Sequence, residues 1–193
     1  LIDDIESQFG TDIVFWEDIP SSISVIKEKY SIISSDDDIR RSFRITNRFL
    51  VAVGNPLMRK KLTEKFISLG GVPAAFISRN AIVSKYAVIN EGCIVLSRVV
   101  IEAGVNIGSG SLINIGAIIN HGCSLGNYVE IAPNAVITGN VDVGSFVFVG
   151  SGAVILPGCK IGAESVIGAC SLVNKNIEVK SVVFGVPAKK RDL

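Results

Sequence analysis

Histidine is the scarcest catalytic residue type in this sequence: His121 stands alone among 193 residues. A metal centre built on three imidazoles of one chain is thereby excluded. No charge sign is in excess, with 19 Lys and Arg against 18 Asp and Glu and a formal net charge of +1. The electrostatic footprint of a nucleic-acid binder is missing, which favours small-molecule partners. Although 48% of residues are hydrophobic, no apolar stretch approaches the roughly 18 residues that a membrane-spanning helix needs. The opening Leu1-Ile2-Asp3-Asp4-Ile5-Glu6 has no initiator Met, basic segment or apolar core of an export signal. The sequence therefore reads as a piece missing its N-terminal part, from a cytoplasmic protein. Cysteines number four, and Cys93, Cys123 and Cys159 share one phase of the repeat described below; with Cys170 they read as small core residues, not as disulfide halves.

What is present falls into two grammars. Residues 1–78 mix apolar runs and helical segments in the manner of an α/β unit. Ile13-Val14-Phe15-Trp16 and Leu50-Val51-Ala52-Val53 read as buried strands. Between Pro56 and Leu69 the apolar residues Leu57, Leu62, Phe66 and Leu69 predict an amphipathic helix, stopped by Gly70-Gly71. Asp36-Asp37-Asp38, followed by Arg40, Arg41 and Arg44, reads as a solvated helix start with acids at its positive end.

The second region, residues 79–193, repeats with a period of six. From Ala81 the chain divides into 17 hexads (AIVSKY, AVINEG, CIVLSR and onward to IEVKSV) whose third residue is always Ile, Val or Leu. A period of six fits neither a 3.6-residue helix nor an indefinite two-residue alternation. It fits a short strand plus a turn, repeated, so that the chain coils. Three hexads per triangular coil give 18 residues per strand spacing and a prism roughly 27 Å tall at about 4.8 Å per coil. Third-position aliphatics then stack as the core, with small first-position residues beside them.

Second-position residues point outward and report what each face meets. One face reads Ile82, Val100, Ile118, Val136, Val154, Leu172; another reads Ile94, Leu112, Glu130, Phe148, Val166; the third reads Val88, Asn106, Ser124, Asp142, Lys160, Glu178. Two apolar outer faces on one chain mark interfaces, and two different faces meeting head to tail close a ring, so a homotrimer is expected; the alternative is that the N-terminal region of the same chain covers one of the two faces.

His121 occupies the fifth position of Ala117-Ile118-Ile119-Asn120-His121-Gly122, near a corner of the prism. Acyl transfer from a thioester to an amine or hydroxyl needs a base near neutral pH, and an imidazole suits that step. Glu130 is the lone charge on its face and needs a partner. Across the expected ring its face meets the neighbour's His121 corner, which makes Glu130 and Asn120 candidates for one intersubunit cleft.

The residues resemble a known group, the bacterial hexapeptide-repeat sugar acetyltransferases, which include sialic acid O-acetyltransferases and N-acetyltransferases of UDP-linked 4-amino-dideoxy sugars. The likeness is carried by Asn114 to Gly126 around His121, by Ile131-Ala132-Pro133-Asn134-Ala135, by Gly139-Asn140-Val141-Asp142-Val143-Gly144 and by the closing Gly185-Val186-Pro187-Ala188-Lys189. It implies a left-handed parallel β-helix after a Rossmann-like nucleotide-sugar-binding domain. It implies acetyl-CoA in grooves between protomers, contacted at Gly139, Gly144 and Gly150 with Pro187 and Lys189 near its adenosine end. It implies nucleotide contacts at Glu17 and Asp18, which end a strand, and at Gly54 and Asn55. No metal is implied. This sequence departs from the pattern in having Gly122 where an acid often follows the catalytic histidine, Glu130 where histidine is common and Ser78 where the helix domain usually opens with His-Pro-Ser-Ala. The glycine-rich phosphate loop is also absent from the sequence given. N-acetylation of a nucleotide-linked amino sugar for surface polysaccharide or glycoprotein glycans is the first reading; O-acetylation of a sugar of the sialic acid type and a non-catalytic scaffold are the alternatives.

Overall fold

The computed structural model describes residues 2–9, 13–17, 25–26 and 30–191, with backbone only at 9, 25 and 26. The first part is a short α/β region. Helix α1 (Ile2–Phe9) precedes β1 (Phe15–Trp16), which pairs in parallel with β3 (Tyr30–Ile33); β2 (Val25–Ile26) pairs antiparallel with the other edge of β3. Helix α2 (Asp36–Ser42) begins where the Ser35 hydroxyl accepts the Asp38 N–H at 3.1 Å, with three acids in its first turn, as the sequence predicts. Strand β4 (Arg48–Phe49) pairs in parallel with β5 (Val72–Pro73) across α3 (Pro56–Ser68). The strand predicted at Leu50–Val53 thus lies two residues earlier, because its partner leaves the ladder after Pro73 and passes into the first coil at Phe76.

The Asn55 side chain caps α3 by accepting the Met58 N–H at 3.0 Å, and Pro56 occupies its first turn. Its buried stripe is Arg59, Leu62, Thr63, Phe66, a helical spacing whose first member is charged. Leu57, predicted to belong to that stripe, falls off it and is 64% exposed. Phe66 and Leu62 pack with Ile39, Val51 and Leu69 under Trp16, Phe43 and Phe49.

In the repeat region each strand occupies positions two and three of a hexad and pairs in parallel with the strand 18 residues on, as in Val100↔Ile118, Asn106↔Ser124 and Leu112↔Glu130. Three sheets of six, five and eight strands form the prism, the last starting at Phe76–Ile77. Third-position Ile107, Ile113, Ile119, Ile131, Ile137 and Ile155 are fully buried along its axis, interleaved with small residues such as Ala117, Ala135 and Ala153. Burying each such isoleucine stabilises the coil by roughly 1.5–3 kcal/mol.

The regular count ends in the last coil. Val173 still pairs 18 residues back with Ile155, but Ile177 bridges Ile161 and Val183 pairs with Ile167, each 16 residues apart. Two residues are lost from that coil. Ile177 therefore takes the core place, and Val179, third in its hexad, is 64% exposed. Cys93, Cys123 and Cys159 are buried free thiols, whereas Cys170, expected in the core, is exposed. It occupies the sixth, left-handed position of its hexad (φ 55°), from which side chains leave the prism.

The wet face is exposed as predicted, and Ile82 at 70% heads an apolar face that stays partly open. On the face of Ile94, Leu112 and Glu130 the alternative of cover within the chain holds for the lower half. Ile94 and Leu112 pack with Phe76 beneath Ile5 and Leu50, so the N-terminal region of the same chain covers the lower half, leaving Phe148 and Val166 beyond its cover.

Arg59 joins the two regions. Its guanidinium is buried and donates to five carbonyls: Val53 and Gly54 behind it, and Gly110, Tyr128 and Val129 on the prism, at 2.6–3.3 Å.

Candidate active site

His121 sits on the edge between the apolar and the wet face. Residues stack along that edge at intervals of 18, so the fifth-position side chain of one coil lies over the fifth position of the next. That next residue is Gly139. A Cβ added there would stand 2.7 Å from His121 Nε2, so the absence of a side chain at 139 makes the seat on which the imidazole lies. Asn140 closes the corner by donating its N–H to the His121 carbonyl at 2.9 Å. From the coil below comes Glu102. Its Oε2 accepts the His121 backbone N–H at 2.7 Å and lies 3.2 Å from His121 Nδ1. The imidazole thus has one nitrogen against a carboxylate and the other over the open floor at Gly139. Its side chain is 66% exposed, available to a substrate or a neighbouring molecule.

Sequence adjacency does not reveal Glu102: the residue directly after His121 is Gly122, and the acid stands 19 residues earlier. The signal was nevertheless available: Glu102 is 18 residues before Asn120, and so lies beneath the residue adjoining His121.

A second cluster lies where the N-terminal region meets the prism. Gly54, Asn55, Pro56 and Leu57 line a pocket of about 570 Å³ with Glu130, Phe146, Phe148, Glu164 and Val166. Glu130 is buried, and its carboxylate lies 4.0 Å from Arg59 Nη1. Burial pushes the Glu130 carboxyl above its ordinary range, and the Arg59 charge pulls against that shift. Glu130 Oε1 also lies 3.3 Å from where a Cβ at Gly54 would stand, so that glycine makes room for the carboxylate. The partner that a lone interface charge requires is therefore found within the chain. Nothing in the local sequence distinguishes Arg59 from the other cations of its helix, Lys60, Lys61 and Lys65.

Comparison with known proteins places these features. The family profile "Bacterial transferase hexapeptide (six repeats)" matches residues 104–139 and 140–175. Among solved structures, PerB from Caulobacter crescentus, in complex with CoA and GDP-perosamine, is 32% identical over 85% of this chain and 80% of its own, with a TM-score of 0.82. The chain belongs to the bacterial hexapeptide-repeat sugar acetyltransferases. It is accordingly an acetyl-CoA-dependent acyltransferase on a left-handed parallel β-helix. The acetyltransferase domain of PglB from Neisseria gonorrhoeae, in complex with acetyl coenzyme A, is 28% identical over 92% of this chain and 85% of its own, at a TM-score of 0.86. WeeI from Acinetobacter baumannii shares the fold, with a TM-score of 0.89 at 24% identity over 98% of this chain and 92% of its own. No curated protein sequence matches the chain.

In this acetyltransferase the predicted site residues distribute over distinct edges. Gly139 lies with His121, and Asn120, half-buried, precedes it on the same corner. Gly150 is on the edge across the apolar face, and the closing segment passes over that same edge, with Ala188 donating to the Leu172 carbonyl at 2.8 Å. Pro187 and Lys189, both exposed, flank Ala188. Gly144 is on the third edge. Added Cβ atoms at Gly144 and Gly150 would meet the next coil's backbone at 2.5 Å, so close stacking of coils accounts for both glycines. Within one chain, then, the glycines at 139, 144 and 150 do not meet. Glu17 follows β1, its N–H donating to the Ile33 carbonyl at 3.2 Å, while Asp18 lies outside the described residues. Among the described residues no helix is long and apolar enough to cross a membrane, and no three His, Cys, Asp or Glu are grouped to hold a metal ion.

Proposed function

We propose that this enzyme transfers the acetyl group of acetyl-CoA to the amino group of a nucleotide-linked amino sugar, with His121 as general base. The observation that carries the reading is the single imidazole of the chain, held at an exposed edge with Nε2 over the bare backbone of Gly139. The acceptor nitrogen attacks the thioester carbonyl carbon while Nε2 takes a proton from it. The tetrahedral oxyanion then collapses, the carbon–sulfur bond breaks, and the imidazolium returns the proton to the departing thiolate. The products are an N-acetylated sugar, free CoA and neutral His121. A base so placed accelerates transfer by about 10²–10⁴-fold. The nature of the similar enzymes supports the choice of acceptor: one is a perosamine N-acetyltransferase, solved with CoA and GDP-perosamine in variants lacking one histidine.

The partly exposed apolar face of Val100, Ile118, Val136, Val154 and Leu172 begins at the His121 edge. We assign it to a neighbouring copy in a homotrimer, so that acetyl-CoA lies in the seam, reached by Gly139 on one edge and by Gly144, Gly150, Pro187 and Lys189 on others. The nucleotide sugar is assigned to the N-terminal side, with Gly54, Asn55 and Glu130 around an acceptor pocket that meets the His121 edge of a neighbouring copy across the seam, and Glu17 and Asp18 toward the nucleotide base. Four free thiols suit a reducing compartment, which we take to be the cytoplasm.

The test is thiol release from acetyl-CoA against UDP-, GDP- and dTDP-linked amino sugars and free sialic acid, with mass measured by light scattering. Turnover of at least one amino sugar by a trimer is expected. Turnover of sialic acid alone would move the assignment to O-acetylation, and failure to bind acetyl-CoA would leave only a scaffold.

A further inference from the structure

We infer that Glu102 is the positioning residue for His121, fixing its tautomer and ring plane from the coil below. This deepens the function proposed above and rests on it for its kinetic arm alone. Gly122, the residue after His121, has no side chain with which to orient the ring. Glu102 reaches it because residues 18 apart stack. As the fourth residue of its hexad it lies beneath Asn120, and its carboxylate spans upward to the next corner. One oxygen then meets two donor positions of the same residue, the backbone N–H at 2.7 Å and Nδ1 at 3.2 Å. The backbone bond fixes where that oxygen stands. An ionised carboxylate has no proton to donate, so the Nδ1 contact is a hydrogen bond only when Nδ1 carries the hydrogen. The lone pair of the neutral ring is then on Nε2, the atom over Gly139. Both side chains are about half exposed or more, at 45% and 66%, so the contact contributes little to folding and its consequence is orientation.

The chain's one histidine makes the test direct, because imidazole nitrogen-15 NMR shows a single residue, assigned by its loss in His121→Ala. Wild type is expected to show the Nδ1–H tautomer. Glu102→Ala should pass to the Nε2–H form favoured by free histidine side chains, at an unchanged melting temperature. In Glu102→Gln the His121 backbone N–H selects the amide oxygen to face it, so the wild-type tautomer should persist. Kinetically, Glu102→Ala should lose about 10–100-fold in kcat, with KM for acetyl-CoA within about twofold, and Glu102→Gln should restore most of the rate. An unchanged tautomer in Glu102→Ala, or an unchanged kcat, would overturn the role. If the wild type transfers no acetyl group to any acceptor, the proposed function fails while the NMR result still decides on Glu102.

Discussion

Ile137 and Leu57 are both aliphatic residues that their local sequence pattern assigns to the interior, yet Ile137 is fully buried and Leu57 is 64% exposed. In the prism every residue meets its equivalents 18 positions before and after, so one rule repeated fixes inside and outside for each position. In the N-terminal region burial depends on partners far along the chain that no local spacing announces. The stripe of α3 shows this: its first member is Arg59, whose acceptors include Gly110, Tyr128 and Val129. A charged residue becomes an interior one because five carbonyls await it.

Arg59→Met is the change expected to break this contrast hardest. It strands those carbonyls and leaves Glu130 buried without its counter-charge, at a cost of about 3–5 kcal/mol, measurable by urea unfolding. Two apolar cores joined by that side chain should then melt separately rather than together. Next comes the misphased coil, where Ile177→Ala should cost about 2 kcal/mol. Its counterpart Val179→Ala should stay within about 0.5 kcal/mol, although the hexad count would rank the two residues the other way.

Smaller still is Gly139→Ala. Its φ suits alanine, but the new methyl meets Nε2 and pushes the exposed ring off its seat, so kcat should fall by about tenfold, or about 1.4 kcal/mol of barrier, with little change in melting temperature. The mildest test concerns Glu130→Gln. The folded-state pKa of Glu130 is raised, so ionisation penalises the folded protein above that pKa and the penalty disappears as pH falls below the unfolded value. The stability of wild type relative to Glu130→Gln should therefore improve on acidification from neutral pH through the carboxylate range. If Glu130 also contacts the acceptor, KM for the sugar should rise in the same variant; unchanged kinetics would remove it from the pocket's function.

Most of the prism was legible in the sequence, because a strict period leaves few arrangements that bury its aliphatics. The three faces and the His121 corner followed from counting. What escaped notice were the places where counting stops: the two residues lost before Ile177, and Cys170 at a left-handed corner. The N-terminal cover over Ile94 and Leu112 stays an alternative in the sequence, because an apolar outer face is the same whether its own chain or a neighbour covers it. Glu102 was legible in principle, since stacking at 18 names it, but sequence adjacency drew attention to Gly122 instead. Arg59 and its bond to the prism had no sequence signal, since nothing local distinguishes a cation that reaches across two regions from one that faces water.

In the proposed reaction the lone imidazole does the proton transfer. Thiol release by His121→Ala beside wild type, with the best nucleotide-linked amino sugar and saturating acetyl-CoA, isolates that step. A drop in kcat of about 10²–10⁴-fold at unchanged melting temperature and assembly state is the predicted result; equal rates for the two proteins would contradict it.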